Sequence, residues 1–185
     1  MEYPGQIIEN PVSGERITFR RTGADTGGEL LAFDLELQPD GAVPGKHVHP
    51  SQEERFTVVS GRMKFRKGLR TVIAEAGDVV VVPAGTPHKF ENAGDEVAHV
   101  QVEVRPALKM EQLLRTAVRL AEEGRTLRSG MPKPLDLALF TREFRDEVRG
   151  AFPPAWVQQA TMAPLARVAE RRGRAAIYTE RPATA

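Results

Sequence analysis

Residues 41–61 read GAVPGKHVHPSQEERFTVVSG, and the fold turns on how this stretch is read. His47 and His49 stand two apart. On an extended strand, side chains at i and i+2 leave the same face; on a helix they point to nearly opposite sides. Pro44, Gly45 and Pro50 surround the pair and disfavour a helix. The two imidazoles are therefore expected to converge on one point from an extended segment. Only one of the neighbours Glu53 and Glu54 can face inward on the strand that follows. Glu54 shares parity with Phe56 and Val58, whereas Glu53 shares it with Arg55 and Thr57. Glu54 is the inward carboxylate on this reading.

Working outward, short apolar runs alternate with polar residues and stop at Gly, Pro, Asn or Asp. Leu30 to Gln38, Arg62 to Arg66, Arg70 to Glu75, Asp78 to Val82 and Val97 to Val104 all read as strands, as does Glu15 to Arg21. Close, regular strand spacing of this kind predicts a sandwich or barrel. Val79 to Val82 is a continuous β-branched run, which predicts a strand covered on both faces. Phe56, Val58, Met63, Phe65 and Phe90 are expected to line the barrel, some as plain core and some bordering a pocket. On the strand around Val100, His99, Gln101 and Glu103 form the polar face. That face either meets solvent or brings His99 and Gln101 into the pocket as contacts.

The chain changes character near Pro106. Met110, Leu113, Leu114, Ala117, Val118 and Ala121 fall on one helical stripe, with Gly124 as its stop. A second helix is predicted over about 134–149, and a third from Pro154 that Pro164 should kink or break. The predicted organisation is a β-barrel over 1–105 and a helical extension over 106–185, packed on the barrel or on a partner. A homodimer is the default assembly.

The chain has 185 residues, 41% of them hydrophobic and 28% charged, which suits one soluble domain with an appended segment. It has no Cys, so disulfides, thiolate ligands and cysteine nucleophiles are excluded, and any metal must be held by nitrogen and oxygen. No apolar run reaches membrane-spanning length and the first residues carry no secretory pattern, so a cytoplasmic location is expected. Net charge is −5 over 1–104 and +6 over 105–185. No nucleic-acid-binding motif accompanies the basic half, which reads as a solvated helix face, and no nucleic-acid partner is expected.

A His-x-His pair by itself is more often an accident of surface or core than a ligand set. The spacing here weighs the other way. Gly41, five residues, His47-Val48-His49, four residues, Glu54, six residues, Gly61 forms one pattern. Gly77, five residues, Pro83-Ala84-Gly85, two residues, His88, three residues, Asn92 forms a second, fifteen residues further on. Together they resemble the two signature motifs of the cupin superfamily, in the manner of a small single-domain microbial cupin.

The resemblance implies a mainly β fold, a double-stranded β-helix or jelly roll, with C-terminal α-helices attached. It implies that His47, His49, Glu54 and His88 bind one divalent metal. Three imidazoles and a carboxylate suit Fe, Mn, Ni, Co, Cu or Zn. Gly61, Gly77 and Gly85 match its turn positions. Fold alone does not name a reaction. The leading expectation is a metal-dependent enzyme acting on a small organic molecule, an oxygenase first, with Glu54 as the ligand that also handles protons. The alternatives are a non-catalytic metal and small-ligand binding module, and an isomerase or epimerase.

Overall fold

The computed structural model describes residues 5–179. Two antiparallel sheets face each other. One runs in the order β1 (Ile7–Asn10), β2 (Glu15–Arg21), β3 (Leu31–Leu37), β10 (Ala98–Arg105), β5 (Glu53–Ser60), β8 (Val79–Val82). The other runs β11 (Arg149–Gly150), β4 (His47–Val48), β9 (His88–Asn92), β6 (Arg62–Lys67), β7 (Arg70–Glu75). Strands distant in sequence pair within each sheet, as in a jelly roll, and the fold is mainly β with C-terminal helices.

The alternation in each strand explains its placement. In β10, Ala98, Val100, Val102 and Val104 are buried while Gln101 and Arg105 are exposed. In β5, Glu54, Phe56 and Val58 are buried while Glu53 and Arg55 are exposed. Phe56, Phe65 and Phe90 meet between the sheets with ring centroids 5.1, 5.3 and 6.0 Å apart. Each such pair adds about 0.5–1.5 kcal/mol beyond the area it buries. Gly61 closes the tight β5–β6 connection at a φ of +82°. A Cβ there would stand 2.6 Å from the Cα of Ala98, so no other residue fits.

The run Val79 to Val82 is not covered on both faces. β8 is the edge of its sheet, and Val79 remains 44% exposed while Val80 and Val82 are buried. Its β-branched composition follows strand propensity rather than double burial.

The segment after Arg105 folds as α1 (Met110–Glu122), α2 (Pro134–Glu143), α3 (Ala155–Arg171) and α4 (Ala176–Thr179), with β11 between α2 and α3. Met110, Leu113, Leu120, Phe140 and Phe144 join the same apolar core as the barrel strands. The Arg115 guanidinium lies 4.5 Å over the ring of Phe19, tying α1 to β2. Asp136, fully buried, is held by Arg125 and by Arg174 (2.7 Å), which clamps α2 to the chain on either side of it.

Two helix expectations are corrected. The second helix stops at Glu143 rather than near Arg149, because the chain turns so that Arg149 and Gly150 can pair with Val48 and His47. The third helix runs through Pro164 without ending there. Pro164 lies on its exposed side, and Ala166 and Ala169 pack against Ala138 and Leu139 across it. Tertiary packing outweighs the local cost of the proline.

Candidate metal centre

His47, His49, Glu54 and His88 come together where the two sheets meet. β4 pairs with β9 so that His47 lies opposite His88. Glu54, second residue of β5, lies between Val104 of β10 and Val82 of β8. The ring of His47 is centred 4.9 Å from that of His49 and 4.3 Å from that of His88. One potential donor atom from each of the four lies within 4.8 Å of all the others. Two ligands about 2.1 Å from an ion on opposite sides stand about 4.2 Å apart, so the cluster is close to the size of a metal shell.

The local backbone holds the loops of this cluster in place. Gly85 takes a φ of +76°, and its N–H donates to the carbonyl of His49 at 2.8 Å, so the second motif's turn braces the first motif's histidine. Gln52 is fully buried in the loop between His49 and Glu54. Its Nε2 donates to the carbonyls of Pro106 and Ala107, fastening that loop to the start of the C-terminal segment.

Each imidazole is turned the same way. Nδ1 of His47, His49 and His88 lies 3.2, 2.6 and 3.0 Å from the carbonyl oxygens of Gly45, Glu147 and Thr86. A carbonyl can only accept, so each Nδ1 carries the proton, and each Nε2 lone pair faces the cluster. This is the arrangement in which a ligating histidine is held by its other nitrogen. Nε2 of His49 and His88 lie 3.3 and 2.7 Å from Oε2 of Glu54, yet none of these buried atoms has a partner of hydrogen-bond geometry. Buried, unsatisfied donor atoms aimed at one another's neighbourhood are costly unless something else satisfies them. A divalent cation fits that requirement and this mixed N/O set.

Burial, then the neighbouring His49 and His88, push His47 down to about 3, so it is neutral near pH 7. Burial would raise Glu54, but His49 and His88 hold it well below the usual carboxylate range. Burial also disfavours charged His49, but the Glu54 carboxylate outweighs it and raises that group.

His47, His49 and Glu54 open on a cavity of about 190 Å³, while His88 is fully buried beside them. Ile17, Phe33, Leu35, Phe56, Phe90 and Val102 give it apolar barrel walls, and Met110, Leu113 and Phe140 from the helices roof it. A cavity of about 150 Å³ accommodates benzene, so this one is sized for one or two rings.

Among the residues expected to line a pocket, Phe56 and Phe90 border this cavity. Val58, Met63 and Phe65 are buried in the core and do not. His99 and Gln101 lie on the outer face of β10, where His99 Nε2 approaches Asp34 at 3.7 Å; they do not border the cavity.

Two participants went unnoticed in the sequence. Glu15 lines the cavity from β2, and its signal was available: it shares parity with buried Ile17 and Phe19. The Glu147 carbonyl that holds His49 left no signal, because any residue supplies a carbonyl.

Residues 33–104 match the family model for the Cupin domain. The chain is 27% identical over 101 residues to a Streptomyces cyaneus protein, Polyketide synthase CurC, covering 55% of this chain and 66% of that one. It is 40% identical over 47 residues to an uncharacterized Streptomyces coelicolor protein, covering 25% and 45%. These matches span less than two thirds of either relative. Among solved structures, an RmlC-like cupin from Shewanella frigidimarina aligns with a TM-score of 0.49 and 18% identity, over 60% of this chain and 94% of that one. A predicted oxalate decarboxylase from Thermotoga maritima aligns at 0.49 and 22%, over 55% and 90%.

Proposed function

We propose, for a chain that belongs to the cupin superfamily through its domain at 33–104, a metal-dependent enzyme acting on a small, largely apolar organic molecule, with oxygenation as its reaction. The observation that carries this reading is the pair of buried, unsatisfied donor atoms of His49 and Glu54 on the wall of an apolar cavity, with the equally unsatisfied Nε2 of His88 2.7 Å from Glu54. A purely structural site would be closed by its ligands, whereas this one borders space for a second molecule.

His47, His49, Glu54 and His88 would hold the ion. A bound divalent ion supplies Lewis acidity or, when redox-active, a route for electrons between substrate and O₂. The chain's own groups do the rest. Phe56 and Phe90 orient a flat substrate and exclude water, replacing a collision by an oriented encounter. Glu54 is the ligand able to take up a proton, at its carboxylate, when an enol or phenol binds as its anion. The relative named as a polyketide synthase supports substrates with enol, diketone or phenol groups. A homodimer is part of the proposal and is checked by sedimentation.

The test is to load apo-protein with Fe(II), Mn(II), Ni(II) and Zn(II), then screen enols, diketones and phenols while recording O₂ uptake. Oxygen consumption with product formation supports the oxygenase. Conversion without oxygen uptake moves the reading to an isomerase. Binding without conversion by any metal form moves it to a binding module.

A further inference from the structure

Glu15 is an inward-facing carboxylate that the metal cluster does not use. It pairs with Asn10 of β1 and Leu37 of β3, and its side chain lines the cavity with Ile17, Phe33 and Leu35. Ser13 Oγ donates to its Oε2 at 2.6 Å; among the described residues no cation pairs with it. Lys46, which lines the same cavity, is engaged with the carbonyl of Gly68 at 2.6 Å.

Its position relative to the metal cluster follows from the strands. His88 begins β9 beside His47, whereas Asn92 ends β9 with its N–H on the carbonyl of Gly41. The next residue, Ala42, bonds to the carbonyl of Ser13, two residues before Glu15. Four residues of strand separate these levels, about 13 Å of backbone, which inward-pointing side chains on both sides shorten. Glu15 is therefore absent from the donor cluster and stands at the other end of the same apolar space.

We propose that Glu15 is a specificity-determining residue of the cavity, forming a hydrogen bond with an oxygen at the end of the ligand remote from the metal. The ligand class is a one- or two-ring molecule with oxygen functions at opposite ends and an apolar middle. Burial favours the neutral acid, which donates to a carbonyl or hydroxyl oxygen. Sites that hydrogen-bond a ligand group discriminate against analogues lacking it, because the buried partner is then left unpaired. The inference rests on the cavity's being a ligand site, as the proposed function has it.

Isothermal titration of the Co(II)-loaded protein with 2-naphthol and with 2,6-dihydroxynaphthalene tests it, with the Co(II) absorption spectrum recorded in parallel. The wild type should prefer the diol by about three- to tenfold. Glu15→Leu should abolish that preference, weakening the diol relative to 2-naphthol, whose own affinity should not fall because no buried carboxyl is then left unpaired, and Glu15→Gln, which keeps a donor, should retain most of the preference. Circular dichroism confirms that both variants fold. A preference untouched in Glu15→Leu, or no binding of either compound, overturns the proposal. A Glu15-dependent preference without any change in the Co(II) spectrum keeps the Glu15 role and removes the metal-centred reading instead.

Discussion

His49 Nδ1 lies 2.6 Å from the backbone carbonyl oxygen of Glu147, ninety-eight residues further along the chain. A histidine of the candidate metal cluster is thus held by the C-terminal segment. Beside it, Gly150 pairs with His47 across β11 and β4. The segment is part of the site's second layer as well as a cover for the barrel.

Glu147→Ala tests that dependence. The Glu147 side chain accepts a hydrogen bond from the N–H of Lys109 at 3.1 Å, which pins the turn carrying the carbonyl. Without it, His49 loses a fixed orientation, and metal affinity should fall about tenfold at unchanged helix and strand content. Chelator competition against wild type measures this; equal affinities would show that the turn needs no such pin.

Glu53→Gln and Glu54→Gln separate the two neighbouring carboxylates. Glu53 points to solvent and Glu54 into the cluster. Glu53→Gln should keep full metal content. Glu54→Gln should keep part of it and lose most activity, and His49→Ala should lose most of the metal. Elemental analysis of the purified variants reads the outcome directly.

Metal should also stabilise the wild type thermally, because an ion that binds the folded chain shifts unfolding by mass action. The melting temperature should rise with Zn(II) or Co(II) in the wild type and stay nearly constant in His49→Ala. An equal rise in both would place the binding elsewhere.

Asp136→Ala should be among the most destabilising changes outside the site. It would leave the guanidinium of Arg174 without this fully buried carboxylate and that of Arg125 with Glu123 alone. Removing one side of a buried ion pair costs about 3–5 kcal/mol. Denaturant unfolding monitored by circular dichroism measures the loss.

Glu15 makes stability depend on pH in a defined direction. Burial raises its pKa above 4.5, so over the window from 4.5 up to the raised value the folded chain holds a proton that the unfolded chain has released. Stability therefore falls as pH rises through that window and levels off above it. Glu15→Gln should lack this decline. Parallel stability–pH profiles for the two proteins would contradict the assignment.

That His47, His49, Glu54 and His88 share one place was legible because much of its cause is local. Two residues apart on an extended segment means one face, and the parity that put Glu54 beside Phe56 and Val58 holds in β5. The same rule applied to Glu15, Ile17 and Phe19 would have shown a charged residue on an apolar face.

What the sequence determined by itself was the strand alternation, the two turn-bounded motifs, the nitrogen and oxygen donor set and the apolar stripe of α1. These depend on side-chain spacing along a single element, where periodicity dictates which groups share a face. The tertiary structure alone decided that α2 ends at Glu143 so that β11 can join β4, and that α3 continues through Pro164. It alone decided that helices roof the cavity and that Glu147 steadies His49. Those outcomes rest on backbone carbonyls and amides, which every residue offers alike, and on which surfaces the closed barrel leaves to be covered. Neither is written in the identity of a side chain.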